Sequence, residues 1–528
     1  MLGVLSRRAP GGRGSLLAVP VLLGELLTLD DVVAVARGAE VAFPAAARAR
    51  VETARGVIDR AVAAGETVYG VTTGFGALAD TRIDPSQAAE LQHGIVRSHA
   101  TAVGRPLSRE EARAMLLLRA HVLALGCSGV RPLLIDLMVE MLNRDVTPVV
   151  PEQGSLGASG DLAPLANLAL PLIGHGEVLG ADGLAREPAA DAFARARLAP
   201  LSLEAKEGLA LVNGTQGMLA IGVLAADRVL RLARAADVVA AMTIEAALGT
   251  DAPFDERLQH LRPHPGQIAS AANLRSLLAG SPMLASHRDS PHLVQDAYSL
   301  RCAPQVHGAV RDAHTYTAAV LAIEANAVSD NPIVLPDTGE VRAGGNFHGM
   351  PVAIAMDTLA AATVSLASIS ERRLYRLTDP KKSNGLPAFL VSASGLNSGF
   401  MLVQYTAASL VSECKTLAHP ASVDSIPSSA GQEDHVSMGM TSARHAREIV
   451  GNAETVLALE ALAAAQALDL RSPLEPGAAT AAARDAVRAD VAFYEADREF
   501  SHDIDAALAL VRSGALVAAA EQASGQLV

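Results

Sequence analysis

The stretch VLAADRVLRLARAADVVAAMTIEAAL, residues 223–248, contains neither glycine nor proline, and its reading decides the fold. Val223, Leu224, Val229, Leu232, Val238, Val239 and Met242 recur at roughly helical spacing, and Gly249 supplies a stop. Asp227, Arg228, Arg231, Arg234 and Asp237 interrupt the segment too often for a membrane span. Residues 353–376, 401–417 (before Pro420) and 444–470 (before Pro473) read the same way. Helices this long and this poor in polar residues cannot each lie on a surface with one apolar stripe; they are expected to pack together with several faces buried. Strand signals are short, at 147–150 and 333–335, and Gly- and Pro-rich segments at 70–76, 151–160, 262–267 and 378–387 separate the helical ones. The expected fold is mainly α. A loop-rich N-terminal region covers 26–215, and a long central helical bundle with C-terminal helices covers 216–528.

Composition narrows the function. Half of the 528 residues are hydrophobic and 19% are charged, which excludes intrinsic disorder. A net charge of −13 and the absence of tryptophan argue against nucleic acid as a partner. Cys127, Cys302 and Cys414 lie far apart, without the spacing of zinc ligands, so no disulfide framework and no metal site is expected. Arg7 and Arg8 precede an apolar run at 16–23 in the manner of a signal peptide, but Pro20 interrupts it and no Ala-x-Ala-like site follows. Residues 1–25 are therefore read as a loose, unstructured extension, and the protein as cytoplasmic with no membrane partner.

The segment that carries chemistry is GSLGASGDLAPLAN, residues 154–167. Its plain reading is a loop and a helix, with Ser159 or Asp161 as cap and Pro164 in the first turn. A sharper reading starts from Ala158-Ser159-Gly160. Bent tightly, the Gly160 nitrogen can attack the Ala158 carbonyl carbon, since glycine tolerates the strained dihedrals this needs. Loss of one water closes a five-membered ring, and loss of a second from Ser159 leaves an exocyclic methylene. The product, a methylidene-imidazolone, is an electrophile of a kind no ordinary side chain supplies. A helix starting just after Gly160 would direct its positive end at that ring.

These residues resemble the signature of the aromatic amino acid ammonia-lyases, whose prosthetic group is built from an internal Ala-Ser-Gly, and further segments resemble the same family in the same order. Tyr69–Gly76 (YGVTTGFG) is similar to its tyrosine-bearing loop, 211–216 (LVNGTQ) to its asparagine motif, 295–301 (QDAYSLR) to its Gln/Tyr/Arg segment, and 345–348 (GNFH) to its phenylalanine segment. Residues 432–438 (QEDHVSM) are similar to the form found in the members that act on histidine.

The resemblance implies roles. Tyr69 or Tyr298 removes the substrate's β-proton; a phenol ordinarily titrates near about 10, so its surroundings must favour this. Asn213 hydrogen-bonds the imidazolone oxygen, Arg301 holds the substrate carboxylate, and Gln295 and Phe347 line the pocket. His99, in Arg97-Ser-His-Ala100, stands at the family's selectivity position, and Glu433 is the second specificity residue. Imidazole offers one donor and one acceptor nitrogen, which a histidine and a carboxylate together can satisfy. The implied reaction is elimination of ammonia from L-histidine to give trans-urocanate, by a homotetramer whose sites combine motifs from several subunits, with no external cofactor. The alternatives are a phenylalanine or tyrosine ammonia-lyase, an aminomutase on the same scaffold, or an inactive helical scaffold. Two departures stand out: Asn167, where the histidine-acting members commonly have His, and the loop 379–387.

Overall fold

The computed structural model describes residues 19–180, 183, 185–289 and 294–528. The deciding segment is helical over Gln216–Ala246, starting seven residues before the expected stretch and ending where Leu248 turns to a φ of +51° ahead of Gly249. The other three long segments form Met350–Thr378, Met401–Leu417 and Gly439–Asp469. With Ala303–Ala325 they make the central bundle, in which Gly439–Asp469 packs against both Met350–Thr378 and Gln216–Ala246. Nearly every side chain of Gln216–Ala246 is buried, as all-round apolar helices require. By length and composition Met350–Thr378 could cross a membrane. Here it lies inside the bundle, with Arg373 fully buried and paired to Glu460 of Gly439–Asp469.

Small residues let the helices approach closely. A Cβ on Gly266 would collide with the Gly308 carbonyl, so the helix Pro265–Leu277 meets Ala303–Ala325 backbone to backbone at that point. Polar groups trapped in the bundle are paired across helices, as buried charges must be. Asp237 receives Ser270 Oγ at 2.6 Å, Asn273 Nδ2 at 2.9 Å and Arg311 Nη2 at 2.8 Å, and its Oδ1 lies 2.7 Å from His307 Nδ1. Glu460 receives Thr243 Oγ1 at 2.7 Å, Ser370 Oγ at 2.6 Å and Arg373 Nη2 at 2.8 Å.

Burial alone would raise the Asp237 carboxyl, but Arg311 and His307 outweigh it and bring it down to about 2 from the ordinary 3.8. Its contribution to stability is therefore complete above the ordinary value and is lost as the pH falls toward 2. Replacing Asp237 by Ala strands Arg311 and His307 in the core, and a loss of about 3–5 kcal/mol in denaturant unfolding at neutral pH is expected. The difference between the two proteins should shrink on acidification.

The N-terminal region is a layer of shorter helices on this bundle. Ala88–His99 and Leu162–Ala169 pack on the short helix Glu207–Val212, and Arg109–Ala124 packs on Gln216–Ala246. Arg109–Ala124 starts with a capping box, in which Ser108 Oγ accepts from the Glu111 amide at 3.2 Å and Glu111 accepts from the Ser108 amide at 2.8 Å. Among the described residues the strands form only two-stranded ladders. Ile333–Leu335 is a strand as expected, paired antiparallel with Glu340–Arg342. Residues 147–150 are not. The Val149 amide donates to the Glu177 carbonyl and the Leu179 amide to the Thr147 carbonyl, around one isolated bridge from Pro148 to Val178, and this pairing goes no further before a strand begins at Pro151.

The expected extension also ends earlier than residue 25. Residues 1–18 lie outside the described part, while Val21–Leu22 pairs in parallel with Val41–Ala42 and Leu23 is fully buried. Among the described residues, packing is already in place at Val21, with Leu23 and Leu27 in core positions.

Candidate active site

The Ala158–Gly160 turn sits where three elements converge. Ser159 has a φ of +49° and Gly160 of +80°. The Gly160 amide points back at the Gly157 carbonyl, 3.3 Å away. A Cβ on Gly160 would collide with the Gly214 carbonyl, so only glycine fits here. From the other side the segment 436–438 closes in, with the Met438 amide donating to the Leu156 carbonyl at 3.1 Å. The helix Leu162–Ala169 begins immediately afterwards and directs its positive end at the turn.

Asp161 occupies the cap position of that helix but does not cap it with its side chain. Its Oδ2 accepts from the Met218 amide at 2.8 Å, in the first turn of Gln216–Ala246, and its Oδ1 accepts from Ser155 Oγ at 2.8 Å. It thus ties the turn to one of the bundle's two longest helices. Burial pushes its carboxyl up to about 6, against the hydrogen bonds from Met218, Ser155 and Gly217 that hold it down.

The Ser159 carbonyl is held by two donors. The Gly214 amide reaches it at 3.1 Å. Asn213, oriented as the hydrogen-bond network requires, donates from Nδ2 at 3.3 Å while its Oδ1 accepts from the Asn331 amide at 2.6 Å. If Gly160 nitrogen closes on Ala158 carbon, the Ala158 oxygen leaves with water, and the Ser159 oxygen is the one that stays on the ring. The donors are therefore on the oxygen that the expected role of Asn213 demands, and the residues present fit the group. Behind Asn213 lies a fully buried ion pair, Lys206 Nζ to Asp330 Oδ2 at 2.8 Å. Nothing in the sequence marks this pair, whose members stand 124 residues apart.

A cavity of about 250 Å³ opens over the turn, and His99, Thr101, Ala158, Gly160, Ser428 and Glu433 are among the residues lining it. His99 is the last residue of Ala88–His99, with Ser98 Oγ 3.0 Å from its Nδ1. Burial holds its imidazole below the ordinary value, against opposing pulls from the Ile95 carbonyl and the Glu433 charge. The ring is thus neutral at pH 7, with one donor and one acceptor nitrogen. Glu433 accepts from Ser428 Oγ at 2.8 Å. The backbone is strained beside these groups, with positive φ at Ser429, Ala430 and Met438. A larger groove of about 420 Å³, between Met350–Thr378 and Met401–Leu417, holds none of the motif residues.

Other motif residues approach the cavity indirectly. The Gly76 amide donates to Tyr69 Oη at 3.0 Å, and the next residue's amide, Ala77, donates to Ser429 Oγ at 3.2 Å, which brings the tyrosine loop against the Glu433 loop. The Phe347 segment reaches the same loop through His348, whose ring stacks on His435 at 5.8 Å. Gln295, Tyr298 and Arg301 are not brought to the cavity within one chain. Tyr298 is 72% exposed, and the Arg301 guanidinium lies over its ring, 4.6 Å from the centroid.

A model of the aromatic amino acid lyases matches residues 27–489. A histidine ammonia-lyase of Anaeromyxobacter sp. strain K is 56% identical over 503 residues, covering 94% of this chain and 99% of the relative. Among solved structures, histidine ammonia-lyase from Trypanosoma cruzi superposes with a TM-score of 0.88 at 43% identity, covering 96% of this chain and 95% of that one. A tyrosine aminomutase from Streptomyces globisporus superposes with a TM-score of 0.91 at 40% identity, covering 97% and 100%. Likeness that runs nearly end to end, in sequence and in fold, settles the kinship that the turn at Ala158–Gly160 implied: the chain belongs to the aromatic amino acid lyase family.

Proposed function

We propose that this chain is a histidine ammonia-lyase, a carbon–nitrogen lyase that converts L-histidine to trans-urocanate and ammonia, the first step of histidine degradation. The observation that carries the substrate is the cavity itself, where His99 and Glu433 line the space above the Ala158–Gly160 turn. A phenyl side chain would offer neither group a hydrogen-bonding atom.

The prosthetic group is a 4-methylidene-imidazol-5-one made from Ala158, Ser159 and Gly160, and it supplies an electrophilic methylene to the substrate amine. Around it the chain's residues have separate tasks. Asn213 and the Gly214 amide hold the Ser159 oxygen, and the start of Leu162–Ala169 adds its positive end. His99 and Glu433 orient the imidazole. Arg301 takes the carboxylate, Gln295 and Phe347 complete the wall, and Tyr69 or Tyr298 removes the β-proton. The exposed position of Tyr298 supports a homotetramer in which the 295–301 segment of one subunit completes the site of another. We place the enzyme in the cytoplasm.

Two measurements test the reading. Intact mass should fall short of the sequence mass by two waters, about 36 Da, as ring formation requires. Incubation with L-histidine should give urocanate; recovery of a β-amino acid instead would favour the aminomutase reading that the Streptomyces globisporus likeness keeps open.

Arg301 is tested separately. Its replacement by Ala should raise KM and lower kcat, because a substrate held at one end loses its near-attack geometry. Urocanate keeps the carboxylate, so product inhibition should weaken in parallel. Inhibition by urocanate equal to wild type would remove Arg301 from the carboxylate site.

A further inference from the structure

The peptide group joining Asn213 to Gly214 is hydrogen-bonded at both ends. Its N–H donates to the Ser159 carbonyl at 3.1 Å, and its C=O accepts from Arg119 Nη1 at 2.7 Å. Arg119 lies in Arg109–Ala124 and is fully buried. Its Nη1 also donates to Gln216 Oε1 at 2.8 Å, while its Nε and Nη2 have no hydrogen-bond partner. The carboxylate whose charge acts on it, Asp330, is already joined to Lys206. Two buried cations therefore share one buried carboxylate. Burial brings the Arg119 guanidinium down only to about 10, so it stays charged at neutral pH.

Satisfying a carbonyl and an amide oxygen needs only neutral donors, and a buried guanidinium lacking a carboxylate of its own is a costly way to provide them. What the charge adds is polarisation. In a water-free site, a cation on the C=O of a peptide strengthens the hydrogen bond given by the N–H of the same peptide.

We propose that Arg119 is a positioning residue for the elimination. It acts through the Asn213–Gly214 peptide, polarising the Gly214 N–H onto the Ser159 oxygen and thereby setting how readily the ring accepts an electron pair. This rests on the ring proposed above. Gln216 belongs to the same device, since its amide oxygen shares the Arg119 Nη1 without cancelling its charge.

Cyanide is the probe, because it adds to an electrophilic carbon without needing the amino-acid pocket. Adduct formation is followed by intact mass in wild type, Arg119→Gln, Arg119→Lys and Gln216→Glu, alongside kcat and KM. Gln216→Glu places a carboxylate against Arg119 without changing volume, and Ser329 Oγ, which now accepts from Gln216 Nε2 at 2.8 Å, can turn to donate to it. This variant keeps the test open if Arg119→Gln fails to fold.

In Arg119→Gln and Gln216→Glu the two-water mass loss should persist while cyanide addition and kcat fall at least about ten-fold. That floor lies below the ~10²–10³-fold cost of deleting an oxyanion donor outright. KM should hardly move, and Arg119→Lys should recover most of the loss. A variant that carries the ring and takes up cyanide at the wild-type rate overturns the proposal, whatever its kcat. So does a folded variant that never loses the two waters, because Arg119 would then serve ring formation instead. Absence of the mass loss in wild type would sink the ring itself, a result distinct from either of these.

Discussion

Ser159→Ala is expected to abolish turnover and leave the fold intact. Alanine has no hydroxyl to eliminate, so no methylene can form, and no neighbouring residue of the Ala158–Gly160 turn could supply one. Among the described residues the Ser159 hydroxyl makes no hydrogen bond; what holds the turn is backbone and side chains elsewhere. The Gly214 amide and Asn213 bind the Ser159 carbonyl, the Asp161 amide donates to the Gly214 carbonyl at 2.7 Å, and the Asp161 carboxylate is fixed by Met218 and Ser155. All of these survive the substitution. The loss in kcat should exceed about 10³-fold, the order found when a covalent catalyst is removed. Intact mass supplies the control, since the variant should show none of the wild type's two-water deficit. A folded Ser159→Ala protein that still turns histidine over would sink the ring mechanism.

The parts of this site that were legible in the sequence share one property: the residues that carry them lie close together in the chain. Ala158-Ser159-Gly160 and the helix after it can be read locally, because a turn and a helix start depend on near neighbours. The same holds for Gln216–Ala246 and Gly439–Asp469, where apolar periodicity over many turns outweighs an isolated Gly222 or Gly451. The misreadings are local competitions that went the other way. Residues 147–150 looked like a strand, yet their pairing with 177–179 stops at a single bridge, and Asp161 looked like a cap for its own helix until a stronger claim came from the amides of another.

What the sequence hid are groups joined only by folding. Lys206 with Asp330, Asp237 with His307 and Arg311, and Arg119 beneath Asn213 each pair residues between 70 and 124 positions apart. The one hint is an arginine inside the apolar run from Met115 to Leu125, a place where a charge is costly unless something uses it. His99 and Glu433 stand far apart in the chain as well, and only the family resemblance put them in one pocket before the cavity was seen.

That pair sets the second large expectation. The neutral His99 ring offers a donor and an acceptor, and Glu433 offers a carboxylate held in place by Ser428. Histidine presents two ring nitrogens to them, and phenylalanine presents none. Leaving a buried polar group unpaired costs roughly 1–3 kcal/mol, and a site built to bond a ring heteroatom rejects an analogue without it by roughly 10⁴-fold. A pocket that merely measured size would discriminate far less, since a missing methylene is worth only about 10–200-fold. Wild type should therefore yield urocanate from histidine and almost no cinnamate from phenylalanine, followed by the ultraviolet absorbance of each product. In the double variant His99→Phe, Glu433→Gln the histidine kcat/KM should fall severely, because both changes weaken imidazole recognition and the first adds an apolar wall. Phenylalanine should gain only slightly. Thr101 and Ser428 still line the cavity, beside the strained backbone at Ser429 and Ala430. Both proteins must be compared at equal folding, judged by thermal unfolding, since Glu433 also anchors Ser428. Equal handling of histidine and phenylalanine by the wild type would remove His99 and Glu433 as the reading heads for imidazole and hand the assignment to a lyase of the phenylalanine or tyrosine type.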